Sequence, residues 1–354
     1  MVDSKWPYIF FATNHNKSED ISMTAKTTKR IKRAGLVFVA ALGLVAAGQS
    51  VAQDPKNMTI SVIYGPEKPQ SKIWYRFRDI VDKKLPGQFE IKVVTDGALG
   101  GEKETTEGIR LGSIQGALST LANLSTWVPE GALFDMPFMF RDLGHVEKVM
   151  TGATGDEYKA LYEAQGFKVL GFIAYGSRHV ISKKPIRVPA DVKGKKMRVL
   201  QSPLHISLWK SLGANPTPVP ITEAYNALQT GVVDYMDMTK SGYQALKLFE
   251  VVPYLTQTNH IWALGAMYLD KSYWDGLTAD QQAVMQSAAD EAIPYFNELA
   301  AGEQDASLAK TVEGGAEVVQ PDVKAWQEAM APFWASYADK VGGMKRIQAI
   351  VDVE

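Results

Sequence analysis

The sequence predicts an α/β protein made of two similarly built lobes, with a helical segment after them. Three observations carry this. A strand–helix–strand unit opens the exported part of the chain, a loop–helix–glycine–strand order occurs once in each half, and the chain beyond Thr278 has helical periodicity. A length of 354 residues suits about two domains. A content of 46% hydrophobic and 22% charged residues is that of a globular chain, which excludes disordered and fibrous classes.

The first element is an export signal. Lys26, Lys29, Arg30, Lys32 and Arg33 precede an apolar run from Ala34 to Ala47, and Ser50-Val51-Ala52 supplies a cleavage site ahead of Gln53. The run of 14 residues is short of the ~20 that a membrane-spanning helix needs. Met23 is the natural start of this signal, so residues 23–52 are assigned as signal peptide and residues 1–22 as a gene-model extension. Beyond residue 52 the chain has 31 basic and 36 acidic residues, a net charge of −5. With no cysteine in the chain, disulfides, thiolate metal sites and cysteine nucleophiles are excluded. The expected compartment is a bacterial periplasm reached by a Sec-type signal.

Met58, Ile60, Val62 and Tyr64 alternate with polar residues as a strand, closed by Gly65-Pro66. Ser71 is the expected N-cap of a helix whose apolar face is Ile73, Trp74, Phe77, Ile80, Val81 and Leu85, ended by Pro86-Gly87. Phe89, Ile91 and Val93 form the next strand, which completes a βαβ unit. Gly97, Gly100 and Gly101 lead into a helix over 102–111, stopped by Gly112 before a short strand at 114–117. The second half repeats the order: Pro216–Pro220, a helix over 223–230, Gly231, then a strand at 232–235. Two such halves suggest two related lobes with a cleft between them. Thr278 and Gln281 make a capping box ahead of a helix expected to run to about Ala301, with Pro294 as a kink. A last amphipathic helix over 322–341 presents Trp326, Met330, Phe333 and Trp334.

The chemistry-bearing motifs are mostly missing. There is no phosphate loop, no G-x-G-x-x-G after a strand, no nucleophile elbow and no H-E-x-x-H, and the five histidines never take metal-ligand spacing. No metal or cofactor is expected, and neither is a nucleic-acid partner, because the charges form no basic stripe. Arg178 and Arg198, each beside a strand, are candidates to hold a carboxylate, since a planar guanidinium binds one bidentately.

At these residues the chain resembles the extracytoplasmic solute-binding proteins of tripartite ATP-independent periplasmic (TRAP) transporters. The resemblance lies in the block from Lys193 to Asp237, in Ala245–Val251, in Thr258-Asn259-His260, in Leu99-Gly100-Gly101 and in Asp135-Met136-Pro137-Phe138. It implies a two-lobed periplasmic binding protein fold with strand hinges and a long lobe-spanning C-terminal helix. Lobe I would comprise 53–175 and 264–303, and lobe II 176–263 and 304–354. Carried over by position, Arg198 would clamp a ligand carboxylate, Arg178 would support it, and Tyr64, Glu102, Thr120, Ile221 and Met238 would line the pocket. The family's V-D-G-x-E segment has Tyr235 for its glycine and Asp237 for its glutamate, and both are taken as ligand-binding. Thr120 replaces an acidic residue and Met238 an asparagine of the sugar-acid members, so the expected ligand is a monocarboxylate with a mostly apolar or aromatic body. The resemblance further implies a monomer that catalyses no reaction and delivers its ligand to membrane-embedded permease subunits. The competing readings are a binding protein of an ATP-driven importer or sensor, and a secreted α/β enzyme.

Overall fold

The computed structural model describes residues 54–354, and the expected extension at 1–22 and signal at 23–52 lie outside them. The first half contains β1 (Lys56–Ser61), α1 (Pro69–Lys84), β2 (Phe89–Val94), α2 (Glu102–Arg110), β3 (Gly116–Thr120) and α3 (Leu121–Leu124). A 3-10 segment, Pro129–Asp135, leads to α4 (Leu143–Thr151), α5 (Ala153–Ala164) and the long β4 (Phe167–Ser182). The second half has β5 (Lys196–Val199), α6 (Pro203–Ser211), β6 (Asn215–Pro218), α7 (Ala224–Gln229), β7 (Tyr235–Thr239) and α8 (Lys240–Ala245). The chain closes with β8 (Tyr254–Asp270), α9 (Lys271–Asp275), α10 (Ala279–Glu313), β9 (Glu317–Val319), α11 (Val323–Tyr337) and α12 (Met344–Val351).

The sheet order is β2-β1-β3-β8-β4-β7-β5-β6, with β9 beside β8. From either edge it reads alike: β2-β1-β3 is mirrored by β6-β5-β7, and the antiparallel β4 and β8 join the two sets. The repeated order seen in the sequence is therefore structural. Gly112 (φ +75°) and Gly231 (φ +74°) stop α2 and α7 at matching places. The strands after them begin a few residues later than expected, at Gly116 and Tyr235. Each ends in a threonine that caps the next helix: the Thr120 hydroxyl accepts from Asn123 N–H, and that of Thr239 from Gly242 N–H.

The α1 face behaves as its spacing requires, with Ile73, Trp74, Phe77 and Val81 fully buried. Its start differs from expectation. Lys68 is the N-cap with Pro69 in the first turn, while the Ser71 hydroxyl donates to the carbonyls of Gly65 and Tyr64. The capping box of Thr278 and Gln281 opens α10 as expected. That helix passes Pro294 without a break and continues to Glu313, because Pro294 sits on the exposed side while α1, β4 and α8 hold the other. Among the described residues no helix is long and apolar enough to cross a membrane.

The chain end makes contacts that the expected lobe division does not foresee. Although residues 304–354 were placed with 176–263, the end packs on the segment 139–158. Arg141 donates to the carbonyls of Val351 and Val353, Arg346 pairs with Glu157, and His145 Nε2 lies 2.9 Å from the Ile350 carbonyl oxygen. The cause is hydrophobic: Ile347 and Ile350 of α12 are buried in the same core as Met139, Phe140 and Tyr158.

All four histidines of the described residues are buried rather than at the surface: His145, His179, His205 and His260. Burial, with Lys240 and His260 nearby, pushes His179 down to about 3. A histidine held neutral in the fold but free to protonate when unfolded contributes stability that is complete above its unfolded value of about 6.5. That contribution falls away as pH drops below it. Stability should therefore decline on the order of 2 kcal/mol between pH 7.5 and pH 5 from this residue. His179→Gln should give a visibly shallower decline in urea titrations across that range; an identical slope would refute the assignment.

Candidate functional site

The carboxyl ends of β1, β3, β5 and β7, parallel within each half, open on one cavity, where α/β sheets place their ligands. Its enclosed volume is about 50 Å³, a narrow space between the two sets of strands. A larger groove behind the sheet, between Phe172 and Pro294, has its carboxylates on the exposed rim and no buried charged side chain. Of these two cavities only the first is lined by buried charged side chains, and that is the candidate site.

Seven of the nine expected residues line it: Tyr64, Glu102, Thr120, Arg178, Arg198, Ile221 and Met238. Tyr64 follows β1, Glu102 opens α2 and Thr120 ends β3, so each comes from a turn at a strand's carboxyl end. The turn before Glu102 needs glycine. Gly97 has φ +64°, and a Cβ there would stand 3.2 Å from the Thr222 methyl on the opposite loop. That contact shows the two loops meeting across the mouth. Lys68 does the same nearby, donating to Gln244 at 2.8 Å and pairing with Glu303 at 2.7 Å.

Arg198, on β5, is 3% exposed, and its Nε donates to the Val219 carbonyl at 2.9 Å. Among the described residues no carboxylate lies within salt-bridge distance of it, and its terminal nitrogens carry no hydrogen bond. Burial, and then repulsion from Arg178, push its pKa down to about 10, so it remains charged at neutral pH. Buried charge without a counter-ion is destabilising on its own, and an anion in the cavity would relieve it.

Arg178 is situated differently. Its Nε lies 2.7 Å from Asp237 Oδ2, and its Nη2 donates to Asp237 Oδ1 and to the Asp237 carbonyl, both at 2.8 Å. Burial alone would raise the Asp237 carboxyl, but the Arg178 guanidinium and His260 override it and hold the group well below the usual range. His260 Nε2 stands 3.2 Å from Asp237 Oδ2, and its Nδ1 2.7 Å from the Thr258 hydroxyl. A neutral imidazole protonated at Nε2 meets both demands, in keeping with its lowered pKa. The triad thus fixes one arginine edge at the cavity wall.

Tyr235 and Asp237 do not line the cavity, contrary to expectation. Residues 235 and 237 share one face of β7, and that face turns into the protein. Tyr235 packs edge-on against Trp209 with ring centroids 5.9 Å apart, and Asp237 is consumed by Arg178. Glu102 is on the wall, yet its carboxylate is held by the scaffold: it accepts from Thr120 N–H at 2.6 Å and also from Asn123 Nδ2. Burial, opposed by these bonds, leaves its pKa raised.

Gln70, Thr239 and Tyr175 also line the cavity and were not anticipated. Thr239 was findable, because it is the counterpart of Thr120 in the repeated halves. Gln70 gave no signal, since a polar residue in a first helical turn is ordinary. Among the described residues no group of three histidine, cysteine or carboxylate side chains could hold a metal.

The family model described as bacterial extracellular solute-binding protein, family 7, matches residues 60–340. The 2,3-diketo-L-gulonate-binding periplasmic protein of Escherichia coli K12 is 32% identical over 300 residues, 83% of this chain and 89% of that one. A TRAP periplasmic solute-binding protein of Sulfitobacter sp. NAS-14.1, solved with bound β-D-galacturonate, superposes with a TM-score of 0.79 at 29% identity, covering 84% of this chain and 98% of that one. One from Sulfurospirillum deleyianum, solved with succinate, gives 0.81 at 30% identity, covering 85% of this chain and 100% of that one.

Proposed function

The chain belongs to family 7 of the bacterial extracellular solute-binding proteins, and from that premise we propose that it captures a small carboxylate in the periplasm and presents it to a TRAP permease. One observation carries the ligand's charge: Arg198 is a buried guanidinium facing the cavity with no carboxylate of the described residues against it. Its planar fork fits a carboxylate, and Arg178, fixed by Asp237, is positioned to assist with its remaining edge. The relatives solved with galacturonate and succinate support the same chemistry, since both ligands are organic acids.

Capture needs no bond to be made or broken. Glu102 and Tyr64, at the cavity, both have raised pKa values with burial as the first cause, and the hydroxyl beside Glu102, that of Thr120, is engaged in accepting from Asn123 N–H. Closure would turn on the crossing strands: β4 is bulged between Ala174 and Gly176, where Gly176 has φ +114°. Hinges at Tyr175-Gly176, at Ala263-Leu264 and in α10 near Pro294 would let 53–175 with 264–303 rock against 176–263 with 304–337, while residues 338–354 follow the first body. Export by the segment 23–52 would put the cycle in the periplasm, the compartment in the name of the Escherichia coli relative.

The wall is two-sided. Leu118, Leu200, Ile221 and Met238 give it apolar surface, as the expectation of an apolar body requires, but Tyr64, Gln70, Glu102 and Thr239 add a polar side. A thermal-shift screen of organic monocarboxylates tests the reading. A true ligand should raise the unfolding midpoint progressively with concentration, by ~2.7 kcal/mol of stability at a hundred times its dissociation constant, and be recovered unchanged. A screen in which only neutral sugars or cations shift the midpoint would refute it.

A further inference from the structure

The two ends of the sheet, alike in topology, differ in chemistry. β2 and β6 are the outermost strands of the mirrored sets, so each carries a row of main-chain groups with no strand of the described residues beside it. Such a row is a template for pairing with another chain, and proteins usually blunt it. β6 is blunted. Asn215 and Val219 donate their N–H groups inward, to the carbonyls of Lys195 and Val199, so positions 216 and 218 face outward. Both are proline, which has no N–H to offer. β2 is left open. Lys56 and Val62 donate to the carbonyls of Gln88 and Val94, which turns the even positions of the strand toward β1. Phe89, Ile91 and Val93 therefore face outward, each with an N–H. The helix α1 covers the face of β2 that carries the Phe89 and Ile91 side chains, not this outer row.

We propose that β2 pairs with the β2 of a second copy of this chain, antiparallel and about a two-fold axis at Ile91, to give a weak dimer. The inference does not depend on which ligand the cavity takes. Charge selects the register. Outward groups must meet outward groups, so Phe89 faces the partner's Val93 and Ile91 faces the partner's Ile91, through about six main-chain hydrogen bonds. Between these, Glu90 stands opposite the partner's Lys92, once on each side of the axis, where the two strands approach most closely. Both side chains are exposed, and their neighbours on β1, Asn57 and Thr59, are uncharged. Moving the axis to Glu90 or to Lys92 would set like charges against each other. The strand is complementary to itself in one register only. Because β1 and β2 are parallel and β1 runs toward the cavity, such a pair directs its two mouths to opposite ends. Only one copy of a pair could then face a membrane, and the single chain would be the delivering form.

Sedimentation of the exported protein across a range of concentrations tests the pairing. The interface is small, so the wild type should pass from one chain to two with a midpoint on the order of 100 µM. Glu90→Lys opposes two positive charges and Lys92→Glu two negative ones, in each case on both sides of the axis. Either change alone should weaken association about tenfold or more. Mixed in equal amounts, the two variants should associate as the wild type does, because every charge then meets one of unlike sign. Both positions are exposed, so neither variant should lose its fold. A wild type that remains a single chain at about 1 mM would overturn the proposal. So would single variants that associate as well as the wild type, or a mixture that associates no better than its components. The wild-type measurement needs no variant and decides the matter by itself if a variant fails to fold.

Discussion

Arg198→Ala should weaken carboxylate binding by about 2–5 kcal/mol, a loss of roughly thirtyfold to several thousandfold, with no loss of fold. The size follows from the desolvation of both partners: the guanidinium is 3% exposed, and its only bond to the described residues runs from Nε to a main-chain carbonyl. Removing it leaves the ligand anion in a closed cavity without its strongest donor. The effect on the unliganded protein should have the opposite sign. Arg198 is charged, buried and repelled by Arg178, so its loss should leave the unfolding midpoint unchanged or higher. Arg198→Lys should fall between wild type and alanine, since an ammonium keeps the charge but not the planar fork. Unaltered affinity in the alanine variant would end the clamp assignment.

The two arginines were legible as candidates because each stands beside a strand, where a planar guanidinium can hold a carboxylate bidentately. What the sequence could not supply was which arginine is already partnered. Arg178 and Asp237 are 59 residues apart and meet only because β4 and β7 run antiparallel with Arg178 opposite Thr239, which puts Asp237 on the diagonal. The same register explains the misplacement of Tyr235. A position carried over by family alignment says nothing of the side chain that now occupies it, and a tyrosine in place of a glycine turned into the Trp209 core. The repeated halves were legible because their signal is local, a glycine forced to positive φ after each helix. The packing of the chain end on residues 139–158 was not, because α12 is 8 residues long and its two buried isoleucines specify a partner only through tertiary packing.

Asp237→Asn should destabilise the protein by about 3–5 kcal/mol, the cost of leaving the buried Arg178 charge without its counter-ion. The carboxylate and the guanidinium are 0% and 5% exposed in their side chains, so solvent screens neither, and three hydrogen bonds join them. Asparagine keeps the volume and one acceptor, yet it cannot supply the charge that holds the Arg178 proton in place. In a domain of this size the unfolding midpoint should fall on the order of 10 °C. The pH dependence has a definite sign. Arg178 depresses the Asp237 carboxyl well below the usual range, so its contribution is complete above the unfolded value of about 3.9 and is lost only as pH falls below that. The gap between wild type and Asp237→Asn should accordingly be constant from pH 5 to pH 8 and narrow only in stronger acid. Replacing both partners, as Arg178→Met with Asp237→Leu, should cost less than Asp237→Asn alone, because no charge is left buried unpaired. That double variant separates structure from capture: it should fold near wild-type stability and still bind carboxylate through Arg198, though less tightly. Additive losses from the two single changes would show that the pair does not act as a unit, and the scaffold role given to Asp237 would then be wrong.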